Sequence, residues 1–314
     1  MSVAAAFWLS MTLGAYCQIE KFLDYKDRET DITHARFYVN IIKTDSGWLR
    51  NDYFIRERKL QMSGLYQDST CKIASGTFYY FHSNGQLQST GHYVDGKKDG
   101  LWIGYYSNGM INDSTHYNRD RPVGTSLRWH RNGFLSDSSV FNGDGNAVKV
   151  SWFDDGSVSA AGRFSAGYKE NGKWKYFHKN GKVSAEEIYE SGRLVDRKYF
   201  DENGNPEADT TSKDRRSDFP GGPKAWLKYL DKKGYFPPQY TITNADSVTV
   251  VVRAEIDEDG KVDDVEIVVP FNPSFDDIVK RVLQKSPPWI PAIHHNRKVK
   301  SYITQPVTFA MNRK

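Results

Sequence analysis

Six dipeptides ending in glycine recur along the chain at an almost fixed interval. They are Asn84-Gly85, Asn108-Gly109, Asn132-Gly133, Asp155-Gly156, Asn180-Gly181 and Asn203-Gly204, spaced 24, 24, 23, 25 and 23 residues apart. Asn-Gly and Asp-Gly supply the positive φ angles of type I′ turns, and each pair is flanked by aromatic and β-branched residues, so each predicts a β-hairpin. One such hairpin cannot bury its own rings, whereas a stack of them can, with caps at its ends. The interval stops after Gly204, and the last hundred or so residues follow other rules.

Aligned on the turns, Phe78, Trp102, Ser126, Val150, Trp174 and Lys198 stand 24 residues apart. Several are preceded two positions earlier by glycine, as in Gly76-Thr77-Phe78, Gly100-Leu101-Trp102 and Gly172-Lys173-Trp174. A second glycine, in Gly91-His92-Tyr93 and Gly162-Arg163-Phe164, opens the return strand. The repeating Trp and Tyr are read as core. Six or seven two-stranded units, at about 4.8 Å per strand, predict a rod of about 60 Å.

Aromatic residues must do this packing, because the 314 residues are only 38% hydrophobic but include 19 Tyr, 17 Phe and 8 Trp. A mean hydropathy of −0.67 argues against a body embedded in a bilayer. The net charge of +4 arises wholly after residue 212: residues 1–212 hold 26 cations and 26 anions, residues 213–314 hold 17 and 13. So weak an excess excludes nucleic acid as the expected partner. His82, His116, His130 and His178 show no zinc spacing and are read as surface residues. Asn142–Asn146 and Asp257–Gly260 lack the twelfth-position glutamate of a calcium loop and are read as turns. Neither Cys71 nor His294-His295 belongs to a nucleophile–base pair, so no enzyme activity, metal or small-molecule cofactor is expected.

Residues 1–17 are uncharged and mostly apolar, and Ala15-Tyr16-Cys17 precedes Gln18 in the manner of a signal-peptidase site. Three readings stay open: a cleaved secretory signal, an uncleaved N-terminal anchor, and a lipidated Cys17. Cleavage leaves Cys71 alone, with no intramolecular disulfide. The expected organisation is residues 1–17 as signal peptide or anchor, 18–49 as an N-terminal segment, 50–206 as repeats, 207–217 as a polar linker and 218–314 as a C-terminal domain.

The pattern G-x-W/F-x-x-Y/F-x-x-NG-x-L/V, seen in Tyr80-Phe81-His82-Ser83-Asn84-Gly85-Gln86-Leu87 and Tyr176-Phe177-His178-Lys179-Asn180-Gly181-Lys182-Val183, resembles the MORN-repeat variant of bacterial exported proteins, including the YwqK-like, antitoxin-associated group. A degenerate first unit has Glu57-Arg58 at its turn. The resemblance implies a fold and leaves the function open.

In the C-terminal part, Pro223–Leu230 places Trp226, Leu227 and Leu230 at helical spacing before Lys232-Lys233-Gly234, a cationic last turn with a glycine stop. Val248, Val250, Val252, Ala254 and Ile256 alternate as a half-buried strand requires. The turn at Asp257–Gly260 leads to a second strand with Val265, Ile267 and Val269 inward and Asp264 and Glu266 outward. A second helix is predicted with Ser274 as its cap, Phe275, Ile278, Val279, Val282 and Leu283 as its apolar stripe, and Pro287-Pro288 as its stop. The last strand, about Val299 to Met311, contains Pro306 and is therefore expected at a sheet edge. Arg297, Lys298, Lys300, Arg313 and Lys314 are expected to guard that edge against indiscriminate pairing.

This order of elements, with Phe219-Pro220-Gly221-Gly222, Phe236-Pro237, the DEDGKV turn and Trp289-Ile290-Pro291, resembles the C-terminal domain of TonB in its Bacteroidetes-type form. The fold class is thus mainly β: stacked MORN-type hairpins, then a small α+β TonB-like domain. The resemblance implies a partner, an outer-membrane TonB-dependent receptor, whose TonB box pairs with the final strand by main-chain β-augmentation. Carried over, Val299, Lys300, Ser301, Tyr302, Ile303, Thr304, Gln305, Val307 and Phe309 form the recipient strand. Gly234, Tyr235, Phe236 and Pro237 form an accessory contact, and Trp289 is core. The chain lacks the long Pro/Lys/Glu-rich span of an energy-transducing TonB. The implied location is the periplasm or cell envelope of a Gram-negative bacterium, with the repeats as spacer or protein-binding scaffold in support of receptor-linked transport. An alternative makes the repeats the binding module, for a protein or an envelope polymer, and the TonB-like domain only a docking unit.

Overall fold

A computed structural model of the chain describes residues 18–241 and 247–310, so the expectations for residues 1–17 and for Met311, Arg313 and Lys314 lie outside the described residues. No helix among the described residues is long and apolar enough to cross a membrane. The chain divides into two compact units, one ending at Phe134 and one beginning at Leu135.

The first unit holds nine strands: β1 (Gln18–Leu23), β2 (Phe37–Thr44), β3 (Gly47–Phe54), β4 (Lys59–Tyr66), β5 (Ala74–Phe81), β6 (Leu87–Val94), β7 (Lys97–Tyr105), β8 (Ile111–Asn118) and β9 (Arg121–Trp129). Each pairs antiparallel with the next in sequence order. The hairpins begin at β1, so residues 18–49 are already part of the sheet.

The Asn-Gly hairpins are real, but their turn type differs from the expected I′. Gly85 N–H donates to His82 O at 2.8 Å and Gln86 N–H to Asn84 Oδ1 at 3.0 Å, and only Gly85 has positive φ, at 87°. This is a type I turn closed by a left-handed glycine, with a bulge between Tyr80 and Phe81. The asparagine stays in ordinary backbone space because its side chain takes the N–H two residues on. Type I′ geometry occurs at the opposite ends of the strands, at Asp95-Gly96 (φ 50° and 76°) and Arg119-Asp120 (φ 49° and 69°).

The repeating rings are core, as expected: Phe78 is fully buried and Trp102 nearly so. Each lies over a glycine of the preceding strand. A Cβ placed on Gly91 would come within 2.1 Å of the Trp102 indole, so no larger residue leaves room for that ring. Trp102 Nε1 then donates to His92 O at 3.1 Å, and Tyr93 meets the indole edge-on at 4.9 Å. Ser126 breaks the series: it hydrogen-bonds Thr115 at 2.6 Å, and Thr115 stands 24 residues after Gly91. Nor are the histidines at the turns free surface groups. His82 Nε2 bonds Tyr105 O at 2.9 Å and the buried His178 bonds Phe200 O at 3.0 Å, each joining one turn to the next repeat.

The second unit continues the pattern in β10 (Leu135–Phe141), β11 (Ala147–Trp152), β12 (Val158–Ser165), β13 (Lys169–Phe177), β14 (Val183–Glu190) and β15 (Arg193–Tyr199). Here Trp174 covers Gly162 and donates to Arg163 O at 3.0 Å, and Ala160, Tyr176, Ala185, Tyr189 and Tyr199 complete the core.

The small α+β region follows: α1 (Gly222–Lys233), β16 (Ser247–Ile256), β17 (Val262–Val269), α2 (Pro273–Gln284), a short hairpin of β18 (Ala292–His294) and β19 (Arg297–Val299), and β20 (Ser301–Ala310). A three-stranded sheet in the order β17, β16, β20 carries a core of Val250, Val252, Ala254 and Ile256 with Phe275, Ile278, Val279, Val282 and Leu283 of α2. The predicted stripes are therefore correct, with two changes. Leu227 is 60% exposed, and the cap of α2 is Asn272, whose side chain accepts from Ser274 N–H at 3.0 Å because Pro273 occupies the first helical position. The polar stretch expected as a linker is tied down, since Arg215 and Asp218 form bridges with Ile293 and Ile290.

Candidate partner-binding edge

β20 pairs along its whole length with β16, from Ser301 opposite Ile256 to Ala310 opposite Ser247, and has no strand on its other side among the described residues. Ile303, Val307 and Phe309 point into the core, while Gln305 accepts from Trp226 Nε1 at 3.1 Å. Tyr302, Thr304, Pro306 and Thr308 are exposed on the opposite face. Tyr302 OH donates to Glu255 at 2.8 Å, and the Thr249 and Thr308 hydroxyls meet at 2.9 Å. Pro306 sits opposite Val251 in a register with no irregularity, so the N–H that proline lacks is one that would face the open edge rather than β16. Because strands have a period of two, Thr304 shares that orientation.

The structure separates the residues assigned to the recipient strand. Ser301, Tyr302, Ile303, Thr304, Gln305, Val307 and Phe309 lie on β20, whereas Val299 ends β19 and Lys300 falls between the two strands. In the accessory segment, Gly234 caps α1 through a 2.6 Å bond to Leu230 O. Tyr235 is 58% exposed, Phe236 packs edge-on against Phe275 at 5.3 Å, and Pro237 is buried. Only Tyr235 of that segment presents a large side chain to solvent.

Sequence reasoning missed what holds this edge in place. The β18–β19 hairpin turns at His295-Asn296, both at positive φ, and its tip packs on the last repeats. The His295 ring stacks on Tyr176 at 3.5 Å and 8°, its Nδ1 lies 2.9 Å from Glu187 Oε2, and its carbonyl accepts from Ser184. Asn296 donates to Phe200 O at 3.1 Å. His295 is thus no exposed loop residue, although His294 is exposed. Arg297 is likewise no guard of the edge: it reaches into the repeats, donates to Ser159 O and to Phe177 O, and lies over Phe153. Lys300 bridges Asp154 at 2.9 Å and Glu255 at 3.2 Å.

The electrostatics follow from this packing. Burial would raise the Glu187 carboxyl, but the hydrogen bonds from His295 and Tyr189 outweigh it and hold Glu187 below the ordinary range. Burial pushes the Tyr176 and Tyr189 hydroxyls up and the Arg297 guanidinium down to about 10. Burial of Asp154 is likewise overcome by Lys300 and Lys179, which bring it to about 2. A two-residue turn without glycine, between the short runs Ala292–His294 and Arg297–Val299, was the one sequence signal for this hairpin.

A three-stranded antiparallel sheet with β20 at one edge, packed against two helices, defines the class of domain. Residues 238–311 match the family of the Gram-negative bacterial TonB protein C-terminal. Residues 74–95, 98–119 and 170–191 match the MORN repeat variant. The chain therefore carries MORN repeats followed by a C-terminal TonB domain. The intervening repeats outside these matches include those where Ser126 and Val150 replace the ring. No curated protein matches the chain significantly.

Proposed function

We propose that β20 receives an extended segment of a partner, the TonB box of an outer-membrane TonB-dependent receptor, as an added strand. The observation that supports this most is an unpaired edge whose inward side chains are locked into the core and whose base is pinned to the repeats. A rigid edge spends little conformational entropy on pairing. A domain of this family points to the cell envelope, and the reading places the protein in the periplasm with the repeats as the support that carries the domain. It requires no chemistry from the chain itself.

The test is titration of the full chain with N-terminal peptides of TonB-dependent receptors from the same organism, read by fluorescence anisotropy. Binding is expected, and Thr304→Pro, which removes an edge donor, is expected to weaken it by about tenfold or more. Absence of binding to every such peptide by the folded chain would sink the proposal. Exposed Tyr79 and Leu101 on the first unit favour a second reading, in which the repeats themselves capture a protein or envelope polymer. Capture from envelope extracts that survives Thr304→Pro and is lost on Tyr79→Ser with Leu101→Ser would select it.

A further inference from the structure

The helices of the TonB-like domain carry a second feature, away from the strand edge. α1 holds four lysines against Asp231, and α2 with its capping Lys285 holds three cations against Asp276 and Asp277, a net of +4. That equals the net charge of the whole chain. The hairpin of β16 and β17, residues 247–269, holds seven acids against two cations, so the domain is strongly dipolar. Between the C-terminal ends of the helices lies a cavity of about 200 Å³. Its floor is apolar, made by the buried Ile278 and Val282 and by Tyr229, whose hydroxyl is fixed on Val282 O at 3.1 Å. Lys233, Arg281 and Lys285 stand around it, and among the described residues none of the three forms an ion pair. Tyr235 forms one wall and is 58% exposed.

We infer that this groove docks an acidic segment of a partner protein that inserts one aromatic or aliphatic side chain between the helices. Three unpaired cations around an apolar recess complement carboxylates flanking an apolar anchor. A concave recess fits a side chain, where an anionic membrane surface needs only the flat cationic face. The groove shares no lining residue with β20 and does not depend on strand pairing there, while its wall Tyr235 also belongs to the accessory contact of that reading.

The probe is a short fluorescent peptide rich in Asp and Glu with a single central Phe, titrated into the full chain by anisotropy. Arg281→Glu with Lys285→Glu is expected to weaken binding by about tenfold or more, and Phe→Ser in the peptide to weaken it comparably. Lys224→Glu with Lys228→Glu, the same charge change elsewhere on α1, is expected to cost about twofold, since exposed charges act weakly at a distance. Thr304→Pro is expected to leave this binding unchanged, which separates it from the β20 reading. Equal losses for the two charge-reversed pairs, or equal binding of the Phe and Ser peptides, would overturn the proposal. So would sedimentation with phosphatidylglycerol vesicles that is lost in the Arg281/Lys285 variant when the peptide does not bind at all.

Discussion

Removing the Glu187 carboxylate strikes the contact through which the repeats hold the TonB-like domain. Glu187 is 2% exposed and accepts from Tyr189 OH at 2.6 Å and from His295 at 2.9 Å. Glu187→Ala strands both donors in a place that water does not reach. Each stranded donor costs about 1–3 kcal/mol, so the two together set an expected loss of about 3 kcal/mol. Glu187→Gln keeps an acceptor for Tyr189 and should cost about 1–2 kcal/mol. The assay is urea unfolding followed by tryptophan fluorescence, in which Trp174, stacked on Tyr176 at 5.9 Å, reports the neighbourhood directly. A Glu187→Ala, His295→Ala cycle should show a coupling of about 1.5 kcal/mol or more. The pH dependence gives an independent sign. A carboxyl whose folded pKa is depressed contributes stability that is fully present above its unfolded value, near 4.5, and is lost as pH falls through the lower folded value. The wild-type chain should therefore lose stability on acidification below about 4.5 more steeply than Glu187→Gln. A Glu187→Ala chain within about 0.5 kcal/mol of wild type, or identical acid profiles for wild type and Glu187→Gln, would refute the reasoning.

Three further outcomes follow from the packing. Gly162→Ala puts a methyl 2.0 Å from the Trp174 indole and should cost about 3 kcal/mol or more in thermal or chemical unfolding, since the ring must leave its seat. Ser126→Trp should destabilise the first unit because Thr115 occupies the seat that glycine provides elsewhere; Thr115→Gly with Ser126→Trp should recover stability, a coupling of about 1 kcal/mol or more measurable by a double-mutant cycle. Arg297→Met removes the donor to Ser159 O and Phe177 O while keeping most of the apolar stem, and should increase hydrogen exchange across residues 292–299 with little change in the β16–β17 hairpin.

Much of the fold was legible because its signals are local. The 24-residue interval located the hairpins, and alternation along Val248–Ile256 and the stripe from Phe275 to Leu283 identified a strand face and a helix face that the structure buries. What failed was conformational detail that two chemistries share. Asn-Gly satisfies a type I turn with a left-handed glycine as readily as a type I′ turn, and the register bulge decides between them. Ser274 looked like a cap because Asn272 and Pro273 supply the same function two residues earlier. The anchoring role of the β18–β19 hairpin was invisible for another reason. The partners of His295 and Arg297 lie 108 and 120 residues away, at Glu187 and Phe177, and no spacing rule reaches that far. For the same reason Val299 and Lys300 looked like the start of the edge strand, when their neighbours assign them to the anchor.

Backbone amide exchange on β20, with and without a receptor TonB-box peptide, tests the central claim most directly. If β20 accepts a strand, edge-facing amides such as those of Thr304 and Thr308 should slow by about tenfold or more at saturating peptide, while residues on β17 keep their rates. Protection that appears on β17 or on the repeats instead, with β20 unchanged by a bound peptide, would contradict it.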